Sequence, residues 1–538
     1  MPSDIVGACP KSSAHSTMRF FMRPKLKIVW QNQQENQPVL SLKHLTLRNN
    51  WIADSLLLFA IFLIFYTFWL GSYPLFTPDE GRYGEVAREM LVSHDFITPR
   101  VNGVAFLDKP VLYYWLEATA IALFGIKEWA LRLFPALLGV ASCLIMYYCG
   151  RRLFDRKTGL LSAIILATSP LYFISAHYAN LDLEVAIFIS ASLLFFITGV
   201  ESHPISRRFL IAAYVFAALA SLTKGLIGIV FPALIIGIWI ALSSQWKLLL
   251  RMHLIKGLML FTIIVLPWYY LAQQANPQFL HYFFVTQHVT RFLSTGEFNN
   301  PIPFWFYLPV VCIGFLPWTA FLIQAITHPT RSRIKLFLLI WIAVVFVFFS
   351  IPHSKIITYI LPLFPALALL VGHYLATQYS SLRLFITLVV LNTLVLLTLV
   401  FCANHFNPHS TKSLVTTLKT IMEPQDEVIN YYKFYQDLPL YLEKRITLVA
   451  DWNSPTIANK DNWIRELWYG MPFQNTDDWL ISEKIFWEKW HQPKRVFVFL
   501  GENYFDQFKK HSRHYYFIAK KNDILLLSNQ PTIVKIKS

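Results

Sequence analysis

Thr77-Pro78-Asp79-Glu80-Gly81-Arg82-Tyr83-Gly84-Glu85 follows closely on the first long apolar run of the chain. Only 14% of the 538 residues are charged, yet this segment and the helix it opens hold Asp79, Glu80, Arg82, Glu85, Arg88 and Glu89. Charge at the edge of a membrane span is costly and is kept where a function needs it. That reading requires a chain that crosses a membrane. The composition agrees: 55% of the residues are hydrophobic and 16% aromatic, and the mean hydropathy is +0.45. These values exclude an ordinary soluble enzyme and point to a polytopic α-helical membrane protein.

Working outward, runs of about 17–25 apolar residues mark spans near 52–70, 128–149, 158–176, 183–200, 208–222, 225–243, 254–272, 303–326, 334–351, 357–376 and 383–402. With the N-terminus inside, the basic loops Arg151–Lys157, Arg207-Arg208, Lys247–Lys256 and Arg331–Lys335 all fall on one face, as cytoplasmic loops do. Val111–Phe124 is apolar enough for a further span, but counting it would place Arg151–Lys157 outside. It is read instead as a helix in the outer interface, with Tyr113, Tyr114 and Trp115 at headgroup depth. Residues 1–50 are polar and basic, lack the pattern of a signal peptide, and read as a cytoplasmic tail before an uncleaved anchor. The net charge of +16 is spread between apolar runs, so nucleic acid is not an expected partner. The five cysteines show no CxxC pair and imply neither a disulfide framework nor a zinc site.

Beyond residue 402 the chain becomes polar. Short β-type runs at Glu427–Tyr432, Arg445–Ala450, Arg495–Leu500, Tyr515–Ala519 and Asp523–Leu527 alternate with helical patterns such as Trp479–Trp490. The expected architecture is a cytoplasmic tail at 1–50, an all-α polytopic membrane domain at 51–402 and a small α/β domain on the outer face at 403–538.

Several residues on the outer face have chemistry to offer. In Thr77-Pro78-Asp79-Glu80 a capping box accounts for Thr77, Pro78 and Glu80 without any reaction. Asp79 is not required by that box, although an acid in the first turn suits the helix dipole. The helix that follows places Tyr83, Ala87, Met90 and Leu91 on one face and Arg82, Glu85 and Glu89 towards the other, the amphipathic pattern of a membrane surface. Asp182, between the third and fourth spans, either caps a helix or joins Asp79 over one polar substrate. Asp108-Lys109-Pro110 puts a lysine on the face that the charge bias disfavours, which calls for an anionic partner such as a phosphate. Lys224, Arg291 (with His288 on the same helix face), Lys355 and Tyr359 complete a set of outer-face cations and donors. Each alone serves equally as a snorkelling or lipid-contacting residue; together they describe a pocket for a lipid-linked phosphate.

Thr77-Pro78-Asp79-Glu80-x-Arg82-Tyr83, Arg88-Glu89-Met90, Lys109-Pro110, Leu181-Asp182, Leu222-Thr223-Lys224-Gly225, Arg291-Phe292 and Tyr359-Ile360-Leu361-Pro362 occur in family order. Through them the chain resembles, over about residues 50–375, the lipid A aminoarabinose transferases and more broadly the protein O-mannosyltransferase-like membrane glycosyltransferases of the GT-C class. The resemblance implies a GT-C-like membrane domain of about 11–13 helices with juxtamembrane helices in the first periplasmic loop. It also implies sugar transfer from a polyprenyl-phosphate donor to lipid A or a related envelope lipid, on the periplasmic side of the bacterial inner membrane. Carried onto matching positions, Asp79 and Asp182 are the paired acids. Lys109, Arg291, Lys355 and Tyr359 hold the donor phosphate, with Glu80, Arg82, Asp108, Lys224 and His288 in support. The aminoarabinose enzymes usually carry Glu where this chain has Asp108 and Gln287, so no metal ligand set is assigned; no cofactor is expected to be required, with a divalent metal left as the alternative.

A phosphate leaving group needs cations and hydrogen-bond donors rather than a strong general acid. A carboxylate stabilises the positive charge that develops at the anomeric carbon. A lipid A phosphate acceptor needs no base, whereas a hydroxyl acceptor makes Asp79 a general base; a single displacement inverts the anomeric centre. Two other readings stay open: a transferase acting on protein hydroxyls or another surface glycan, and a non-enzymatic lipid transporter. The transporter would show internal repeats and mid-membrane charge, and here the charge gathers at one interface.

Overall fold

The computed structural model describes residues 50–531 except 291–301, 330–331, 380, 407–408, 458–461 and 513. The expected tail, Asn50 apart, therefore lies outside the described residues, as does Arg291. Helices stand at every expected span: α1 (Trp51–Thr67), α5 (Leu133–Leu153, continuing α4, Glu128–Leu131), α6 and α7 (Arg156–Ala167 and Pro170–Ala176), α8 (Leu181–Val200), α9 (Arg207–Lys224), α10 (Ile227–Leu242) and α12 (Leu254–Ala275, after the short α11, Leu248–Arg251). Further spans run at Arg333–Ser350, Ile357–Gln378 and Leu382–His405.

Two spans read as continuous are broken: α6 and α7 meet at 66°, and the helices on either side of residues 315–317 at 104°. Pro170 and Pro317 stand at those breaks, where the missing N–H and the restricted preceding residue end a helix. Among the described residues six helices are long and apolar enough to cross a membrane, or eight with each bent pair taken as one span, so this is a multi-pass membrane protein.

The spans divide by burial. α8 is the innermost, with 89% of its apolar window buried, whereas Leu382–His405 has 11% and α12 17%, leaving their side chains to face lipid. In lipid, helices associate through close contact of small residues. Gly159 packs so tightly on α5 that an added Cβ would lie 2.5 Å from the Tyr147 carbonyl oxygen.

Between α1 and α4 lie α2 (Asp79–Ser93), the hairpin β1–β2 (Arg100–Val101, Val104–Ala105) and α3 (Leu112–Phe124). Two expectations fail here. α2 is not amphipathic at a surface: every residue from Glu80 to Met90 is buried, because α3 packs on it from one side and the C-terminal region from the other. Its charges are satisfied internally. Arg88 donates twice to Glu85, both at 2.6 Å, and Glu89 accepts from the Gly103 amide at 2.6 Å. Nor do Tyr113 and Tyr114 reach headgroup depth, being 1% and 0% exposed. They pack under Tyr83 of α2, and Tyr113 donates to Glu117 at 2.7 Å. A helix with protein on both sides buries polar tips that a membrane-surface helix would place in the interface.

The C-terminal region forms a six-stranded mixed sheet of β3 (Glu427–Tyr431), β4 (Thr447–Val449), β5 (Leu480–Ile481), β6 (Val496–Gly501), β7 (Tyr516–Lys521) and β8 (Ile524–Ser528), ordered β5-β4-β3-β6-β8-β7. The neighbours β5–β4, β4–β3 and β3–β6 pair in parallel, and β8 pairs antiparallel with both β6 and β7. β6 reads Val-Phe-Val-Phe-Leu without polar alternation because both of its faces are covered. Phe497 and Phe499 join the core shared with β1–β2, while Val498 and Leu500 face the core of Phe486, Trp490 and Phe508. The short strand β5 carries no run that marks it in the sequence.

Docking of this region onto α2 depends on two glycines. A Cβ on Gly81 would stand 2.6 Å from the Asp437 nitrogen, and one on Gly84 2.7 Å from Leu440. The helix Leu438–Leu442 therefore rests directly on the backbone of α2.

Candidate active site

Three helix ends and one 3-10 turn converge on the face from which α2 starts. Asp79 opens α2, Asp182 lies in the first turn of α8, Lys224 ends α9, and Thr358 and Tyr359 lie in the 3-10 turn Ile357–Leu363. Acids at helix starts and a lysine at a helix end sit where the helix dipoles favour them.

Asp79 is held from three directions. Arg82, one turn on, meets Oδ1 at 2.5 Å, and Tyr178 and Asn180 both donate to Oδ2 at 3.2 Å. Its side chain is nonetheless 28% exposed, against 7% for Asp182. Asp182 is fully engaged: Lys224 pairs with Oδ1, Thr358 donates to Oδ2 and its amide bonds Asn180 Oδ1 at 2.7 Å. The Lys224 ammonium also lies 3.9 Å from the centre of the Tyr359 ring, a cation–π contact. The Tyr359 hydroxyl makes no hydrogen bond among the described residues. The two acids are thus linked through Asn180, one accessible and one committed to a lysine.

Arg82 extends the site to the C-terminal region. Its second nitrogen reaches Glu466 at 2.5 Å, and its guanidinium lies over Phe106 at 5.5 Å, which sets the loop carrying Asp108 and Lys109 beside α2. Burial alone would weaken the charge on Arg82, but Glu466, Tyr83 and Asp79 more than offset it and hold the guanidinium firmly protonated. In that loop Asp108 accepts from Tyr282 and, at 3.1 Å, from Gln287 Nε2, while Lys109 Nζ reaches the Asp108 carbonyl at 3.1 Å. Tyr282 and Gln287 belong to a π-helical segment, His281–Thr290, whose His288 side chain, like Arg291, lies outside the described residues.

Two expected site residues turn elsewhere. Glu80 is 0% exposed and forms a two-pronged pair with Arg132 at 2.7 and 2.6 Å, while also accepting from the amides of Phe76 and Ala179. Thr77 makes no cap. α2 begins at Asp79 with no side-chain hydrogen bond from the residue before it, so the capping box is replaced by this buried pair. Lys355 donates to the carbonyls of Ile302, at 3.0 Å, and Pro352, tying a loop rather than facing the acids. Asn180, Tyr178, Thr358 and Glu466 were not among the expected residues. Asn180 alone had a signal, an Asn at the N-cap position of a span.

Among the described residues no three His, Cys, Asp or Glu side chains converge as metal ligands. The arrangement offers an accessible carboxylate, Asp79, joined through Asn180 to an acid that Lys224 pairs and whose lysine lies against Tyr359. Such a set can hold a phosphate while presenting a carboxylate to an electron-poor carbon or an amine.

Comparison with known proteins matches residues 108–271 to the family dolichyl-phosphate-mannose-protein mannosyltransferase. Among curated relatives, the undecaprenyl phosphate-alpha-4-amino-4-deoxy-L-arabinose arabinosyl transferases of Edwardsiella ictaluri and Pseudomonas aeruginosa are 33% and 31% identical over 332 and 339 residues. These matches cover 60% and 62% of this chain, and the chain spans 59% and 60% of the length of those relatives. In structure, ArnT from Cupriavidus metallidurans bound to undecaprenyl phosphate superposes with a TM-score of 0.78 at 24% identity, over 89% of this chain and 98% of that one. The chain is thus similar in sequence, over some 60% of its length, to the aminoarabinose transferases, and over 89% of its length it shares the fold of ArnT.

Proposed function

We propose that this protein is a glycosyltransferase of the bacterial inner membrane. It moves aminoarabinose or a similar sugar from a polyprenyl-phosphate donor to lipid A or a related envelope lipid on the periplasmic face, where the sheet of residues 403–538 also lies. The observation that carries the reading is the accessible Asp79, linked through Asn180 to Asp182 with its partner Lys224 and the neighbouring Tyr359, on a fold shared with a protein solved with undecaprenyl phosphate. The names of the curated relatives support the sugar and the carrier.

The donor phosphate is held by Lys109, Tyr359 and Lys224, with Arg291 assigned to it by resemblance alone. As the bond from the anomeric carbon to the phosphate oxygen lengthens, these groups take up the negative charge of the departing polyprenyl phosphate. Asp79 faces the developing positive charge on the sugar or its amino group, and Asp182 positions Lys224 and Thr358. An acceptor phosphate oxygen attacks the opposite face, so one displacement inverts the anomeric centre. The Asp108–Gln287 hydrogen bond replaces the two carboxylates usual in the aminoarabinose enzymes with a pair that needs no cation between them, which supports transfer without a divalent metal.

The test is transfer of radiolabelled sugar from the polyprenyl-phosphate donor to lipid A in membranes carrying the wild type, Asp79→Asn or Lys109→Ala. Transfer by the wild type, lost in both variants with protein levels unchanged, is expected. Full transfer by both variants would overturn the mechanism. Unmodified lipid A together with altered protein glycosylation would move the assignment to protein hydroxyls.

A further inference from the structure

Helix α9 ends in the candidate site at Lys224 and begins at Arg207 at the other end of the membrane domain. Its 18 residues span about 27 Å at 1.5 Å per residue, close to the hydrocarbon thickness. At the Arg207 end an open groove lies between α9 and α12.

Three basic side chains border it, Arg207 from α9 and His253 and Lys256 at the start of α12, and no acidic side chain lines it. None of the three makes a hydrogen bond or ion pair among the described residues. Arg156 and Arg151 at this end are instead engaged with Asp54, and Lys157 with the Ala376 carbonyl. The floor is built for the space. A Cβ on Gly257 would stand 2.1 Å from the Tyr214 ring, which its hydroxyl fixes to the Met252 carbonyl at 3.2 Å. Ile211 and Leu260 continue the groove as apolar surface, and beside it Ile255, 78% exposed, and Met259, 60% exposed, face outward.

A groove with unpartnered basic side chains beside exposed aliphatic ones is complementary to one class of molecule. We propose that the groove between α9 and α12 binds a bilayer phospholipid with an anionic headgroup, its phosphate against Arg207, His253 and Lys256 and an acyl chain along Ile211 and Leu260. The site is separate from the transfer reaction and does not depend on the sugar or the acceptor.

The test uses the full-length protein in detergent, unfolded thermally with increasing dioleoyl phosphatidylglycerol, dioleoyl phosphatidylcholine or inorganic phosphate. Phosphatidylglycerol raises the unfolding midpoint at lower concentration than phosphatidylcholine. Arg207→Gln/Lys256→Gln raises the half-effective phosphatidylglycerol concentration about tenfold or more. The same change at Lys247 and Arg251, outside the groove, leaves it within about twofold. Equal responses to the two lipids, equal losses from the two double variants, or full reproduction of the effect by inorganic phosphate would each overturn the proposal. Should the groove variant misfold, a photoreactive phosphatidylglycerol decides on the wild type: labelled peptides around Ile211 and Leu260 support the site, and labelling confined to other helices refutes it.

Discussion

Asn180 donates from Nδ2 to Asp79 Oδ2 at 3.2 Å, and with its side-chain oxygen it caps α8 at the Asp182 amide, 2.7 Å away. One amide therefore fixes the spacing of two carboxylates that start different helices. An aspartate at position 180 would keep the cap and lose the bond to Asp79, because it has no N–H to give.

Asn180→Asp is accordingly expected to fold with nearly wild-type stability and to lose sugar transfer by about tenfold or more, through repulsion beside Asp79. Asn180→Ala loses both contacts, and its unfolding free energy drops by about 1 kcal/mol for the missing cap. Transfer rates measured beside thermal unfolding separate the two effects. Equal activity in Asn180→Asp and the wild type would show that the bond to Asp79 is idle.

The two acids should answer differently to neutralisation. Asp79→Asn alters a partly exposed side chain and leaves Arg82 its pair with Glu466, so the unfolding midpoint should stay within about 2 °C of the wild type. Asp182→Asn strands a largely buried lysine and is expected to cost about 3 kcal/mol. Lys224→Met in the Asp182→Asn background should recover much of that loss in a thermal melt without restoring transfer.

Gly81→Ala tests the docking of the C-terminal region. The new Cβ would meet the Asp437 backbone at 2.6 Å, where no side chain can turn aside. Overpacking of this kind costs about 1–3 kcal/mol. Limited proteolysis should then cut faster between the last span and β3. Because Glu466 moves with the sheet, transfer should fall as well.

Asp437 gives a pH signature. Burial pushes its carboxyl from 3.8 up to about 6, against the hydrogen bonds from Thr411 and Ser410 that pull it down. Between those values the folded protein binds more protons than the unfolded chain, so stability falls as pH rises from 3.8 to about 6 and is level above that. The loss is about 3 kcal/mol. Asp437→Asn removes this component, and the difference between wild-type and variant unfolding curves across pH 4 to 7 should carry it. A difference that does not vary with pH would refute the assignment.

The sequence reading reached furthest where a local pattern decides the structure. Apolar runs and basic loops placed the helices, and the β-type runs from Glu427 onward found five of the six strands of the C-terminal sheet. Asp182 and Lys224 proved to be bonded, yet nothing in the one-dimensional order pairs two residues on different spans. Glu80 shows the limit most clearly. Its spacing from Thr77 fits a capping box, but a buried arginine 52 positions away offers a stronger partner, and local preference yields to it. Tyr113 and Tyr114 were misread for a related reason: an aromatic helix under a second layer of protein has the same composition as one lying in headgroups. Glu466 had no signal, since its role exists only once the sheet region rests on α2.

Arg82 answers at once to Asp79 and to a glutamate 384 residues away. That joint tenure restricts how such proteins can be recombined. A chimera that takes its membrane half from one relative and its soluble half from another inherits a working centre only if the residues at 82 and 466 travel as a matched pair. The soluble half is free to diversify over its far face, while its near face is bound to the ancestry of its membrane half.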